Sequence, residues 1–172
     1  RTEAVERQGV DVVFVLDTSL SMAVVDVTPS RLWVAQSLLR RLAAALPGNR
    51  LALVQAEGTG VVLVPLTVDA AAIDLVLDGL EAGSAPVAGT RLTPALERAL
   101  ALFPEGSQKH RAMIVVSDGE IHGESLTAIA ERLREAGVVV HTIAVGTPSG
   151  GPVPDGGTAG GYKRDRQGRV VV

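Results

Sequence analysis

The chain has 172 residues, 47% of them hydrophobic but only 2% aromatic, a net charge of -3 from 19 acidic and 16 basic residues, and no cysteine. That length suits one domain with a core packed from Val, Leu and Ala. The near balance of charge leaves no global field to draw in nucleic acid or a membrane surface, and the missing thiols exclude disulfides, thiolate metal sites and cysteine nucleophiles.

No apolar run reaches the roughly 18 residues of a membrane helix. The chain opens on Arg1 without a signal-peptide pattern, as a piece cut from a longer protein would. Val12 to Leu16 is a short continuous apolar run, the pattern of a strand buried on both faces. Thr28-Pro29 then signals a helix start, and Leu32, Ala35, Leu39, Leu42 and Leu46 recur at helical spacing until Pro47-Gly48-Asn49. Residues 51–56 (LALVQA) predict a second strand, and a Glu57-Gly58-Thr59-Gly60 turn leads into a third at 61–66 (VVLVPL), where Pro65 suits a sheet edge.

Asp69 caps a predicted helix over 70–81, and the Gly/Ala/Ser/Pro-rich stretch 82–90 predicts a loop. Thr93-Pro94 starts a helix running to Phe103; 112–117 (AMIVVS) predicts a buried strand, 124–136 a helix ended by Gly137, and 138–145 (VVVHTIAV) a fifth strand. The order β-α-β-β-α-α-β-α-β predicts a three-layer, Rossmann-like α/β fold: an open, mostly parallel sheet with one antiparallel edge strand and helices on both faces. Residues 1–148 form the body of the domain. From Gly146 the composition turns to Gly, Pro and Asp; within 149–172 the segments 162–166 and 169–172 read either as a small hairpin of the same domain or as a frayed tail.

In open α/β sheets, ligands bind beyond the carboxyl ends of the strands. Three polar segments fall there. Asp17, Ser19 and Ser21 follow the first strand in "DVVFVLDTSLSM", Asp118 follows the central apolar strand in "VVSDGE", and Thr90 lies in the loop "PVAGTRL". Five oxygen donors without nitrogen or sulfur suit Mg²⁺, Mn²⁺ or Ca²⁺ rather than zinc or copper. If the stretch is extended, alternate positions put Asp17, Ser19 and Ser21 on one side. An octahedral ion held by three such side chains keeps a position open, and with little carboxylate charge on it that position favours an acidic group of a partner. Taken singly, these residues also fit plainer roles: Asp17 and the serines as loop or helix caps, Asp118-Gly119 as a turn, Thr90 as a loop hydroxyl.

Together, D-x-S-x-S after a first buried strand, a later loop threonine and a strand ending in S-D-G resemble the metal-ion-dependent adhesion site of von Willebrand factor type A domains. The resemblance implies that Asp17, Ser19, Ser21, Thr90 and Asp118 coordinate a divalent ion directly or through water. "DVTPSRLWVAQ", "LPGNRLALV", "PLTVD", "PVAGTRLTPAL" and "GYKRDRQGRVVV" are further similar to the bacterial Bat aerotolerance-type branch, whose members include BatA and BatB. That branch implies anchoring helices flanking the domain, a position at the inner membrane on its periplasmic face, and work beside other Bat proteins and a MoxR-type AAA+ ATPase. Trp33 departs from the branch, where a charged residue is common. A helical count sets it on the polar face with Gln36, Ser37, Arg40 and Ala44, either as an exposed partner anchor or tucked under a terminal segment.

Three functions compete. A binding module needs the ion and an acidic partner residue, and no chemistry. A Mg²⁺-dependent phosphatase using Asp17 as nucleophile would want a second carboxylate two residues on, where Ser19 stands, and a nearby lysine. A serine hydrolase would need a base among His110, His122 and His141 and a G-x-S-x-G elbow, which does not occur. Beside the binding module and these two forms of enzyme, a structural domain with no ion is the third possibility. The residues favour the binding module.

Overall fold

The architecture was analysed in a computed structural model, which describes residues 9–85, 87, 89, 91–120, 125–156 and 160–172. Strands β1 (Val10–Asp17), β2 (Arg50–Ala56), β3 (Val61–Thr67), β4 (His110–Ser117) and β5 (Val138–Ala144) form one sheet in the order β3-β2-β1-β4-β5. β1 pairs in parallel with β2 and β4, and β4 with β5; β3 runs antiparallel to β2 at one edge. The expected mixed sheet is therefore present, and its two innermost strands on the site side, β1 and β4, end side by side.

Helices α1 (Arg31–Ala45) and α2 (Ala70–Asp78) cover one face, and α3 (Leu92–Ala101) and α4 (Thr127–Glu135) the other. β1 explains why the run Val12 to Leu16 is apolar at every position. Phe14 and Leu16 pack with Leu39, Leu53 and Ile73 on the first face, while Val13 and Val15 pack with Leu96, Met113 and Ile129 on the second. Pro65 lies on β3 where the register against β2 is irregular between the Leu51–Thr67 and Leu53–Val64 pairs, a position that asks for no ladder N–H.

Several boundaries move. α1 begins at Arg31, not at Thr28-Pro29, because the Ser30 hydroxyl accepts the Trp33 N–H and so caps the helix two residues later. α2 stops at Asp78, and α4 is described from Thr127. Gln36, expected on the polar face of α1, is buried: its amide donates to the carbonyls of Leu77 (2.8 Å) and Leu80 (2.9 Å). Those carbonyls belong to the end of α2, which leaves acceptors unpaired, so a polar side chain on α1 is what allows the two helices to pack. Arg40, on the same side, pairs with Asp74 and Asp78 of α2.

The segment after β5 returns to the domain as a hairpin. Lys163 N–H donates to the Val153 carbonyl and Val171 N–H to the Lys163 carbonyl, with bridges Pro154 to Tyr162 and Arg164 to Val170. Val153 is buried, and a Cβ on Gly151 would come within 2.7 Å of the Val24 side chain, so this segment lies tight against the loop before α1. Among the described residues, no helix is long and apolar enough to cross a membrane.

Candidate metal centre

β1 ends in a carboxylate that is fully buried. Asp17 Oδ1 accepts the Ser19 N–H at 2.9 Å, and Oδ2 accepts the hydroxyl of Ser117, the last residue of β4, at 2.7 Å. The first of these bonds turns the chain out of the strand. Leu20–Ala23 then forms a short 3-10 turn, with Met22 N–H on the Ser19 carbonyl. An extended stretch with alternating side chains is therefore not what gathers the two serines. The turn does so, setting their hydroxyls 3.0 Å apart.

Burial pushes the Asp17 carboxyl above its usual range, against the pull of the bonds from Ser117 and Ser19, and the negative charge of Asp118 adds to the rise. Glu57, the residue that follows β2, is also buried and also raised, chiefly by loss of solvent. Its Oε2 accepts the Thr18 hydroxyl at 2.9 Å and the Ala85 N–H at 3.2 Å, and Thr18 in turn accepts from Gln55 at 2.8 Å. These buried bonds fix the backbone next to Asp17. The sequence reading passed over Glu57, although a carboxylate at the end of an apolar strand is the same signal that singled out Asp17.

Asp118 has a partner that sequence reasoning missed. Arg31, the first residue of α1, donates from Nη1 to Asp118 Oδ2 at 2.9 Å, while the Glu120 N–H occupies Oδ1 at 3.0 Å. Arg31 is itself held by Asp26 through Nε and Nη2, each at 2.9 Å, and Asp26 Oδ2 accepts both the N–H and the hydroxyl of Thr147. The bonds from Arg31 are the main reason that the Asp26 carboxyl lies far below its ordinary range. No local signal could have revealed this, since Arg31 and Asp118 are 87 positions apart.

Thr90 and His122 lie outside the described residues. The segment preceding Thr90 in the chain is tied down at two points. Gly83 N–H donates to the Thr18 carbonyl and Gly58 N–H to the Gly89 carbonyl, each at 2.7 Å. Gly58 has φ +58, and a Cβ there would lie 2.0 Å from the Val87 carbonyl oxygen. Gly58→Ala is accordingly expected to displace this loop and to weaken any metal-induced rise in melting temperature. Gly48→Ala, at φ +79 with nothing within 4 Å, should leave that rise intact. Thermal melts with and without Mg²⁺ check both.

Ser19, Ser21, Glu57, Gly89 and Glu120 line a depression of about 510 Å³ whose outer wall is the C-terminal hairpin, through Val153, Asp155 and Lys163. Trp33 stands two residues beyond Arg31 on the first turn of α1 and is 50% exposed.

The donor set suits a divalent ion. Asp17 is a buried carboxylate whose described partners are neutral hydroxyl and amide donors, a costly arrangement unless a cation joins it. Its neighbours Ser19 and Ser21 converge their hydroxyls, and the remaining carboxylate, Asp118, already has its counter-charge.

An open α/β sheet with oxygen donors gathered at the ends of its middle strands defines a Rossmann-like binding domain. Residues 12–120 match the von Willebrand factor type A domain, a metal-dependent adhesion and protein-interaction fold whose members are generally not enzymes, and the chain belongs to that family. Two solved structures from Bacteroides are similar along nearly all of it. They are an aerotolerance-related membrane protein of Bacteroides fragilis (31% identity, TM-score 0.87, covering 95% of this chain and 80% of that one) and BatB of Bacteroides thetaiotaomicron (34%, 0.87, 95% and 79%). A UPF0353 protein of Mycobacterium sp. (strain KMS) is 32% identical over 162 residues; the chain spans about half (48%) of that relative's length. At 22% identity the likeness is one of fold alone to a proximal thread matrix protein from the mussel byssus, solved with zinc in its metal-ion-dependent adhesion motif (TM-score 0.67, 79% and 35%).

Proposed function

We propose that this chain is a divalent-metal-dependent docking module that engages an acidic residue of a protein partner. Asp17, Ser19 and Ser21, with Thr90 and Asp118 directly or through water, would hold Mg²⁺, or Mn²⁺ or Ca²⁺. Bound there, the ion supplies an open coordination position for a carboxylate oxygen. The observation that carries this reading is Asp17: a fully buried carboxylate, raised in pKa, with no described cationic partner and two converging hydroxyls beside it. Trp33, half exposed on the first turn of α1, is proposed to add an apolar anchor next to the ionic contact.

The relatives support a wider setting. By analogy with the aerotolerance-related membrane protein, the chain would be the binding domain of a Bat-type protein held at the bacterial inner membrane by helices outside these residues, on the periplasmic face. There it would work with other Bat proteins and a MoxR-type AAA+ ATPase in stress tolerance. A phosphatase reading finds no comparable support, since the second carboxylate it would need two residues after Asp17 is replaced by Ser19.

Melting curves test the central claim. Mg²⁺ or Mn²⁺ should raise the melting temperature of the wild-type domain relative to EDTA, because a ligand bound only by the folded state stabilises it by mass action. Asp17→Ala should abolish the rise; a wild type indifferent to both metals would refute the reading. With a partner in hand, Trp33→Ala should lower its Mg²⁺-dependent recovery on the immobilised domain without altering the metal response.

A further inference from the structure

The pairing of Arg31 with Asp118 has a consequence for how such a site discriminates, and the inference rests on the metal reading above. Arg31 is held beside Asp118 by construction. Its side chain is 6% exposed, and three of its N–H groups are spent on two carboxylates, with Asp26 gripping one side of the guanidinium and Asp118 the other. Asp26 is fixed in turn by the Thr147 N–H at 2.8 Å and the Thr147 hydroxyl at 3.0 Å.

The floor beneath the guanidinium is Gly146. A Cβ at that position would sit 2.9 Å from Arg31 Nε and 3.3 Å from Cζ, and its φ of +133 is one that only glycine adopts readily. Three separate segments, the loop before α1, the end of β4 and the turn after β5, thus converge to keep one planar cation in one place. A flexible surface arginine would need none of this.

We propose that Arg31 is a positioning residue of the metal site. It holds the Asp118 carboxylate by Oδ2 and offsets part of its charge, the guanidinium being shared with Asp26, so that Asp17 is the one carboxylate of the proposed set with no described cation beside it. The effect is to trade metal affinity for partner selectivity. A divalent ion facing two uncompensated carboxylates is nearly neutralised and attracts a third weakly. With Asp118 already paired, an excess of positive charge remains for the carboxylate of the partner. Each oxygen of Asp118 keeps a second lone pair beyond the bonds from Arg31 and Glu120, so it can still accept from a water on the ion. Lysine could supply the charge at this position, but not the fork that grips Asp26 and Asp118 together.

Binding of Mn²⁺ to the purified domain, followed by electron paramagnetic resonance, tests the assignment with wild type, Arg31→Gln, Arg31→Lys, Asp118→Asn and Asp17→Asn. Removing the positive charge that partners Asp118 should tighten Mn²⁺ binding by about tenfold or more in Arg31→Gln, even with solvent screening. Arg31→Lys, which keeps the charge, should stay within about threefold of the wild type.

Asp118→Asn leaves the Arg31 and Asp26 pair in place and so covers the case in which Arg31→Gln does not fold. Because it leaves the Arg31 charge less compensated, it should weaken Mn²⁺ binding, the opposite sign to Arg31→Gln, by about tenfold, whereas Asp17→Asn should lose binding by about a hundredfold or more. The inference is overturned if folded Arg31→Gln binds Mn²⁺ no tighter than the wild type, or if Asp118→Asn loses as much as Asp17→Asn. Failure of every variant and of the wild type to bind millimolar Mn²⁺ would instead refute the metal reading, and this inference with it.

Discussion

In EDTA at neutral pH, Asp17→Asn is expected to melt above the wild type, and to be the variant that gains nothing from Mg²⁺. Asparagine has nearly the same shape, so its Oδ1 can accept the Ser19 N–H and its Nδ2 can donate to the Ser117 hydroxyl, replacing the two bonds that Asp17 makes. What disappears is a buried negative charge. Because burial raises the folded-state pKa of Asp17 above its unfolded value, the folded state binds the proton more tightly. The corresponding stability is present at low pH and is lost as pH climbs from the ordinary carboxylate range through the raised pKa. The wild type loses it as the pH rises through that raised pKa. The asparagine variant never had it to lose, so its advantage should shrink as the buffer is made acidic.

A gain of about 1 kcal/mol, the usual return when a functional site gives up its strain, corresponds to roughly 2–4 °C in a chain of this length. Scans in EDTA at two pH values, repeated with Mg²⁺, measure both halves. The Mg²⁺ response should reverse the order of the two proteins. If the variant melted lower than the wild type in EDTA at neutral pH, the buried charge would not be the liability that its surroundings indicate.

The largest loss of stability should come from Phe14→Ala. Phe14 is one of two phenylalanines in the chain, lies in the middle of the central strand with no exposed surface, and pairs with Leu53 of β2 and Ile114 of β4. Its ring fills the layer under α1 and α2, and the neighbours that meet there cannot close the space without bending the strand that delivers Asp17. Truncations of this kind cost about 3–5 kcal/mol, a large part of the roughly 5–15 kcal/mol that holds a domain folded. The melting temperature should fall by on the order of 10 °C. Phe103, just after α3, is 6% exposed and lies outside the regular elements, so Phe103→Ala should cost clearly less. Denaturant melts of the two variants give the comparison; equal losses would mean that the central layer is no more tightly packed than its margin.

Much of this architecture was legible before any coordinates. The uninterrupted run Val12 to Leu16 announces a strand covered on both faces, and the alternation of such runs with helical spacing is enough to predict the layered sheet, including Pro65 at its edge. The carboxylates Asp17 and Asp118 are legible for the same reason, since each directly follows an apolar strand that must end in a loop. Glu57 was equally legible and went unread. Gln36 was misread, because a polar residue at a helical position signals solvent unless something buried requires its hydrogen bonds, and here the end of α2 does.

Sequence alone determined the elements, their alternation and the strand ends at which charge gathers, because side-chain periodicity is set within a turn or two of the chain. Only the tertiary structure decided how those ends differ. It turned the backbone after Asp17 so that a 3-10 turn, not an extended strand, brings Ser19 and Ser21 together. It brought Arg31 across 87 positions to Asp118 and placed no described cation on Asp17. Electrostatic compensation depends on distance in space, which local pattern does not carry, so two aspartates that look equivalent in the sequence become one paired and one unpaired carboxylate in the fold.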